Sequence, residues 1–259
     1  MAWLEIEGLR THYEIAGGSS LPALLFSHCL GADLSIWEPQ FRALSTEFRI
    51  IRYDTLGHGQ SAVPRKPYTI EKLGRQALAL LDALAIERTS FCGISMGGLI
   101  GQWLALQAPD RIQKLILVDT AARIGNREGW NTRIEDVLKD GIIPIIPGAL
   151  QRWFTSGFHA ANPEIVARTK AMLEIVNVEG YTNCCAALRD ADFRADIHSI
   201  GIPTLVITGQ HDPVTPPEDG RFLAENIAGA RYIELPAAHL SNVEAASEFN
   251  SALLAFLKL

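Results

Sequence analysis

Ser95 stands at the centre of Gly93-Ile94-Ser95-Met96-Gly97, a G-x-S-x-G motif. A serine hydroxyl is a weak nucleophile near neutral pH. It needs a base to take its proton and a third group to orient that base. Of seven histidines, only His239 follows the last strand-like run, in Pro236-Ala237-Ala238-His239-Leu240. His159 and His198 fall in or beside a helical stretch, His211 adjoins an acid, and His12, His28 and His58 precede the serine. The acid in matching position is Asp212, on a loop stiffened by Pro213, Pro216 and Pro217. Its carboxylate would accept the imidazole N–H, fix the tautomer and stabilise the imidazolium. Asp119, which ends the strand-like run after the serine, is the rival acid, with a plain turn or cap carboxylate as its simpler role.

Attack on an acyl carbon also needs donors aimed at the developing oxyanion. The backbone N–H of Met96, next to the nucleophile, is one. The other is expected from the loop His28-Cys29-Leu30-Gly31, with Leu30 N–H assigned and Cys29 as its neighbour. His28 reads as a hydrogen-bonded loop anchor. The glycine-rich stretch from Asp54 to Ser61 matches no phosphate-binding pattern and reads as a structural loop, with His58 unassigned.

These residues must be positioned by strands and helices. Residues 3–6 and 11–15 alternate apolar and polar around Gly8, as antiparallel strands with one exposed face do. Residues 22–27, 48–54, 88–92, 115–119, 203–208 and 231–235 are apolar runs suited to strands, most of them covered on both sides. Between them, helical spacing is clear over 70–84 (Ile70, Leu73, Ala77, Leu80, Leu81, Leu84). Helices are also expected over 37–44, 99–108, 221–228 and 245–257. Strands alternating with helices predict a parallel sheet wrapped on both faces. The alternation stops over 122–190, which carries helical segments, an interruption at 141–148 and no convincing strand. The expected organisation is therefore a core of 1–121 and 191–259 with a helical cap, 122–190, inserted in it.

A length of 259 residues, 48% apolar and 20% charged, fits one domain with an insertion. The net charge of −6 without a basic run argues against nucleic acid or an anionic membrane as partner. The N-terminus lacks a secretory signal pattern and no stretch approaches membrane-spanning length, so a cytoplasmic protein is expected. Cys29, Cys92, Cys184 and Cys185 show no C-x-x-C spacing and read as reduced thiols. No H-x-x-x-H or H-E-x-x-H pair suggests a metal, and the chemistry calls for no cofactor.

Together these motifs resemble the α/β-hydrolase superfamily. The signature elements are His28-x-Leu30-Gly31, Asp54-x-x-Gly57-His58-Gly59-x-Ser61, Gly93-x-Ser95-x-Gly97, Gly209-x-x-Asp212 and His239. Within it, residues 30–37, 52–55, 97–104 and the stretch from Ala121 through Trp130 to Arg133 are similar to the enol-lactonases of bacterial aromatic catabolism, the β-ketoadipate pathway. Leu56 stands where relatives commonly have Arg, and Cys29 replaces the Gly of a His-Gly loop. The resemblance implies an α/β fold: a mostly parallel eight-stranded sheet, helices on both faces and an inserted helical cap. It also implies hydrolysis of 3-oxoadipate enol-lactone, a small anionic lactone, through an acyl-enzyme on Ser95. The substrate carboxylate asks for a donor in the cap. Trp130 and Arg133 are the candidates, with Arg127 and Arg152 behind them. A general carboxylesterase or a C–C bond hydrolase would share the triad, and a small-molecule receptor of this fold could retain it.

Overall fold

The computed structural model describes residues 2–6, 8–65 and 67–259. Eight strands form one sheet: β1 (Ala2–Ile6), β2 (Leu9–Ala16), β3 (Ala23–Ser27), β4 (Arg49–Tyr53), β5 (Thr89–Ile94), β6 (Ile112–Val118), β7 (Thr204–Gly209) and β8 (Arg231–Leu235). Their order is β1-β2-β4-β3-β5-β6-β7-β8. The first two strands are antiparallel to their neighbours and the other six run parallel. The chain steps from β3 to β4 on one side and then crosses to β5 on the other. This reversal opens a crevice at the carboxyl ends of the strands, where ligands of open α/β sheets bind.

The period-two pattern of the strands divides the core. Phe26, Ile50, Cys92, Ile116 and Ile207 face one side, packed with Trp37, Phe249 and Leu253. Leu25, Ile51, Phe91, Leu115, Leu117 and Val206 face the other, packed with Leu73, Leu80, Leu104 and Leu223. Helices α1 (Glu38–Leu44), α2 (Ile70–Ala83) and α3 (Met96–Gln107) connect the first parallel strands. Thr69 caps α2 by accepting from Lys72 N, satisfying one of the free amides of its first turn.

Between β6 and β7 the described residues form helices and no strand: α4 (Arg127–Asp140), α5 (Ile146–Trp153), α6 (Ser156–Ala161), α7 (Pro163–Glu174) and α8 (Val178–Asp190). The interruption expected at 141–148 is shorter than the sequence suggested. Gly141, at φ 76°, ends α4. Pro147 then sits in the first turn of α5, where its missing N–H costs no hydrogen bond. The chain closes with α9 (Pro217–Asn226), α10 (Ser241–Glu244) and α11 (Ala246–Leu257). No described helix is long and apolar enough to cross a membrane.

Candidate active site

β5 delivers Ser95 to the crevice on a sharp turn. The residue takes φ 55° and ψ −112°, outside the regions a side chain prefers, and α3 starts at the next residue rather than at Leu99. The strain is held by neighbours: Ser95 N donates to Val118 O at 2.9 Å, and Thr120 Oγ1 donates to Ser95 O at 2.8 Å. The flanking glycines are required by space. A Cβ on Gly93 would lie 2.1 Å from Gly97 O, and one on Gly97 would lie 2.3 Å from Ser27 O. Among the described residues Ser95 Oγ makes no hydrogen bond.

The loops after β7 and β8 bring together the residues expected as acid and base. His239 Nδ1 lies 2.7 Å from Asp212 Oδ2, and both side chains are buried. Asp212 is fixed in turn: Oδ1 accepts from Val214 N at 2.7 Å and Thr215 N at 3.2 Å, and Oδ2 accepts from Thr215 Oγ1 at 2.8 Å. Burial works against charge on both partners, but their mutual attraction and hydrogen bond prevail. The Asp212 carboxyl is lowered below its ordinary value and the His239 imidazole is raised above its own.

Asp119, the rival acid, takes a different part. It is fully buried at φ 41° and spends both oxygens on backbone, accepting from Gly209 N at 2.7 Å and Ser241 N at 3.1 Å. It thereby ties the end of β6 to the acid loop and to the base loop. Its neighbours Val118 and Thr120 hold the Ser95 backbone, so one carboxylate joins all three site segments. Burial and then the nearby Asp212 push its pKa up to about 7. Sequence reasoning could find the residue but not this bridging, which spans 90 and 122 positions.

The helical segment also reaches the base loop. His239 N and Leu240 N donate to Arg152 O and Trp153 O, at 3.4 and 3.1 Å. Glu244, in α10, accepts from Ala238 N at 2.9 Å and from the Thr155 hydroxyl ahead of α6. The end of α5 therefore runs beside His239, and Arg152 comes close enough to oppose its positive charge. Arg133 on α4 is a neighbour of Arg152, with Nη1 3.5 Å from the Tyr181 hydroxyl. Among the described residues neither arginine has a carboxylate partner. Burial and then the neighbouring Arg133 lower Arg152 from its ordinary range.

The other cap candidates do not join them as donors. Trp130 spends its indole N–H on Ile124 O at 2.7 Å, so the donor role expected of it is unavailable and only its ring remains to pack. Arg127 is exposed and paired with Asp190 at 2.9 Å.

On the oxyanion side, Met96 is the first residue of α3, where a backbone N–H has no intrahelical acceptor. Cys29 O accepts from His28 Nδ1 at 2.8 Å and from Ala32 N at 3.2 Å. A trans peptide is planar, so the N–H of Leu30 points opposite that carbonyl, and among the described residues it has no acceptor. The Asp54–Ser61 loop beneath is structural. Asp54 accepts from His12 Nδ1 at 2.7 Å and from Leu34 N and Gln60 N at 2.8 Å each.

The chain matches known proteins over nearly its whole length. The sequence profile of the alpha/beta hydrolase fold matches residues 22–246. The chain is 44% identical to 3-oxoadipate enol-lactonase 2 of Acinetobacter baylyi over 255 residues, covering 98% of this chain and 96% of that protein. It is 31% identical to a putative carbamate hydrolase, RutD, of Agrobacterium fabrum, covering 95% of this chain and 97% of that one. The crystal structure of the enol-lactonase from Burkholderia xenovorans LB400 superposes with a TM-score of 0.98 at 43% identity, over the full length of both chains. A profile match over that span, on a sheet of this order, identifies the chain as a member of the alpha/beta hydrolase fold family.

Proposed function

We propose that this protein opens 3-oxoadipate enol-lactone to 3-oxoadipate as a serine hydrolase. The observation that carries the substrate class is the pair Arg133 and Arg152, two neighbouring cations of which Arg152 lies beside His239, neither with a protein carboxylate among the described residues. Guanidinium groups left close together in a half-buried place favour an anion, and a planar carboxylate matches their donor fork. The enol-lactonase relatives at 44% and 39% identity support the same reading.

Ser95 Oγ attacks the lactone carbonyl while His239 Nε2 takes its proton, and Asp212 holds the Nδ1 tautomer. Met96 N–H and Leu30 N–H receive the oxyanion. The ring C–O bond breaks as His239 returns the proton to the leaving enol oxygen, and tautomerisation to the ketone pulls the opening forward. The whole chain stays on Ser95 until water, deprotonated by His239, releases the diacid. Arg133 and Arg152 hold the spectator carboxylate throughout.

The test compares kcat/KM for the enol-lactone and for p-nitrophenyl acetate in wild type and in Arg152→Met. A charge-assisted hydrogen bond contributes about 1.5–3 kcal/mol, so the variant should lose roughly 10–100-fold on the lactone and less than about threefold on the neutral ester. Equal losses on both would remove the carboxylate site. A wild type that prefers the ester, or a simple carbamate, would favour the broader hydrolase reading that the RutD relatives support.

A further inference from the structure

His58 sits in the loop between β4 and α2, is 1% exposed, and takes no part in the steps above. Its Nε2 accepts a hydrogen bond from Gly31 N at 2.8 Å, across 27 positions of sequence. Because Nε2 accepts, the ring proton is on Nδ1, which faces the Leu56 carbonyl and, at 3.9 Å, Cys184 Sγ of α8. Burial, reinforced by the neighbouring His28, lowers the imidazole to about 3, so the ring stays neutral and able to accept.

Gly31 is the residue after Leu30, whose N–H is the unpaired donor of the oxyanion loop. Two peptide planes flank Leu30. The first, Cys29–Leu30, is pinned at its carbonyl by His28 and Ala32. The second, Leu30–Gly31, is pinned at its N–H by His58. That second plane is the central peptide of the turn closed by Ala32 N on Cys29 O, in which Gly31 takes φ 82°. With it released the turn can open, Ala32 lets go of the Cys29 carbonyl, and the first plane tilts with its Leu30 N–H. Oxyanion donors act by being aimed before the charge develops, so a small rotation is costly.

We propose that His58 is a positioning residue of the reaction: through the Gly31 N–H it holds the Leu30 amide aimed at the oxyanion. This rests on the ester-opening reading above.

Two conservative variants separate the ring nitrogens. His58→Gln carries its amide oxygen at about the reach of Nε2 and keeps the bond to Gly31. His58→Asn reaches only as far as Nδ1 and leaves Gly31 N–H without an acceptor. With p-nitrophenyl acetate and with the lactone, His58→Gln should stay within about threefold of wild-type kcat. His58→Asn should lose on the order of 10²-fold in kcat with KM within about twofold, the size of a lost oxyanion donor. Amide exchange of Gly31, followed by NMR, should stay slow in His58→Gln and quicken in His58→Asn. Exchange that quickens while kcat holds, or an equal loss in both variants, would overturn the role. If the ester shows the pattern and the lactone is not turned over, the substrate reading fails and His58 stands. A wild type inactive on both compounds overturns both.

Discussion

Replacing Asp119 by Asn tests the electrostatics of the site most directly. Asn tolerates the residue's φ of 41°, so the backbone need not move. Its oxygen can still accept from Gly209 N, but the amide nitrogen then faces Ser241 N–H, donor against donor. One buried N–H left unpaired costs about 1–3 kcal/mol, which is the expected destabilisation near pH 5. The pH dependence works the other way. Burial and Asp212 raise the Asp119 pKa to about 7, against an unfolded value near 3.8. Between those values the folded protein binds more protons at this residue than the unfolded chain, so wild-type stability falls as pH rises through the window. Asn lacks that slope, so the advantage of wild type should narrow by a few kcal/mol between about pH 4 and 7 and stay flat above. The charged and titratable neighbours are Asp212, His239, Cys29 and Cys92. Of these, the two thiols are raised by burial and stay neutral. Asp119 also contributes to the raised His239 imidazole, so its loss should move the acidic limb of kcat/KM to lower pH. Urea unfolding of both proteins from pH 4 to 8 reads the first effect, and ester hydrolysis reads the second. A stability difference independent of pH, together with an unmoved acidic limb, would refute the buried charge.

Asp212→Asn replaces the oxygen facing His239 Nδ1 by a donor and favours the wrong tautomer; kcat for p-nitrophenyl acetate should fall by about 10³–10⁴, and a loss under tenfold would remove Asp212 from the triad. Gly180→Ala in α8 would place a Cβ 2.2 Å from Gly57 O, against backbone that has no flexible end to move, whereas Gly129→Ala in α4 meets only Asn126 Oδ1 at 3.4 Å. The first should cost about 1–3 kcal/mol, several degrees of Tm in a chain of this size, and the second should be neutral or slightly stabilising by calorimetry.

Much of the fold is legible in the chain itself. Apolar runs every few tens of residues, alternating with the helical spacing of Ile70, Leu73, Ala77 and Leu80, specify strands and helices because backbone periodicity is local. Ser95, Asp212 and His239 are legible for a related reason: each follows a recognisable strand, and parallel strands deliver their ends to one edge. Helix starts are less legible. α3 begins at Met96 and α5 at Ile146, because tight turns and a first-turn proline decide those points rather than side-chain spacing.

What only the tertiary structure decided is which partners the polar groups take. Sequence alone placed Trp130 level with Arg133 and set Arg152 behind them. Packing spends the Trp130 indole on Ile124 and brings Arg152 alongside Arg133 and His239. Likewise Asp119 is visible as a strand-end carboxylate, but not as the group that joins Gly209 to Ser241, and His58 is visible but not its hold on Gly31. Residue type and spacing set what each group can donate or accept. The long-range approach of loops, fixed by burial of the core beneath them, sets what it does.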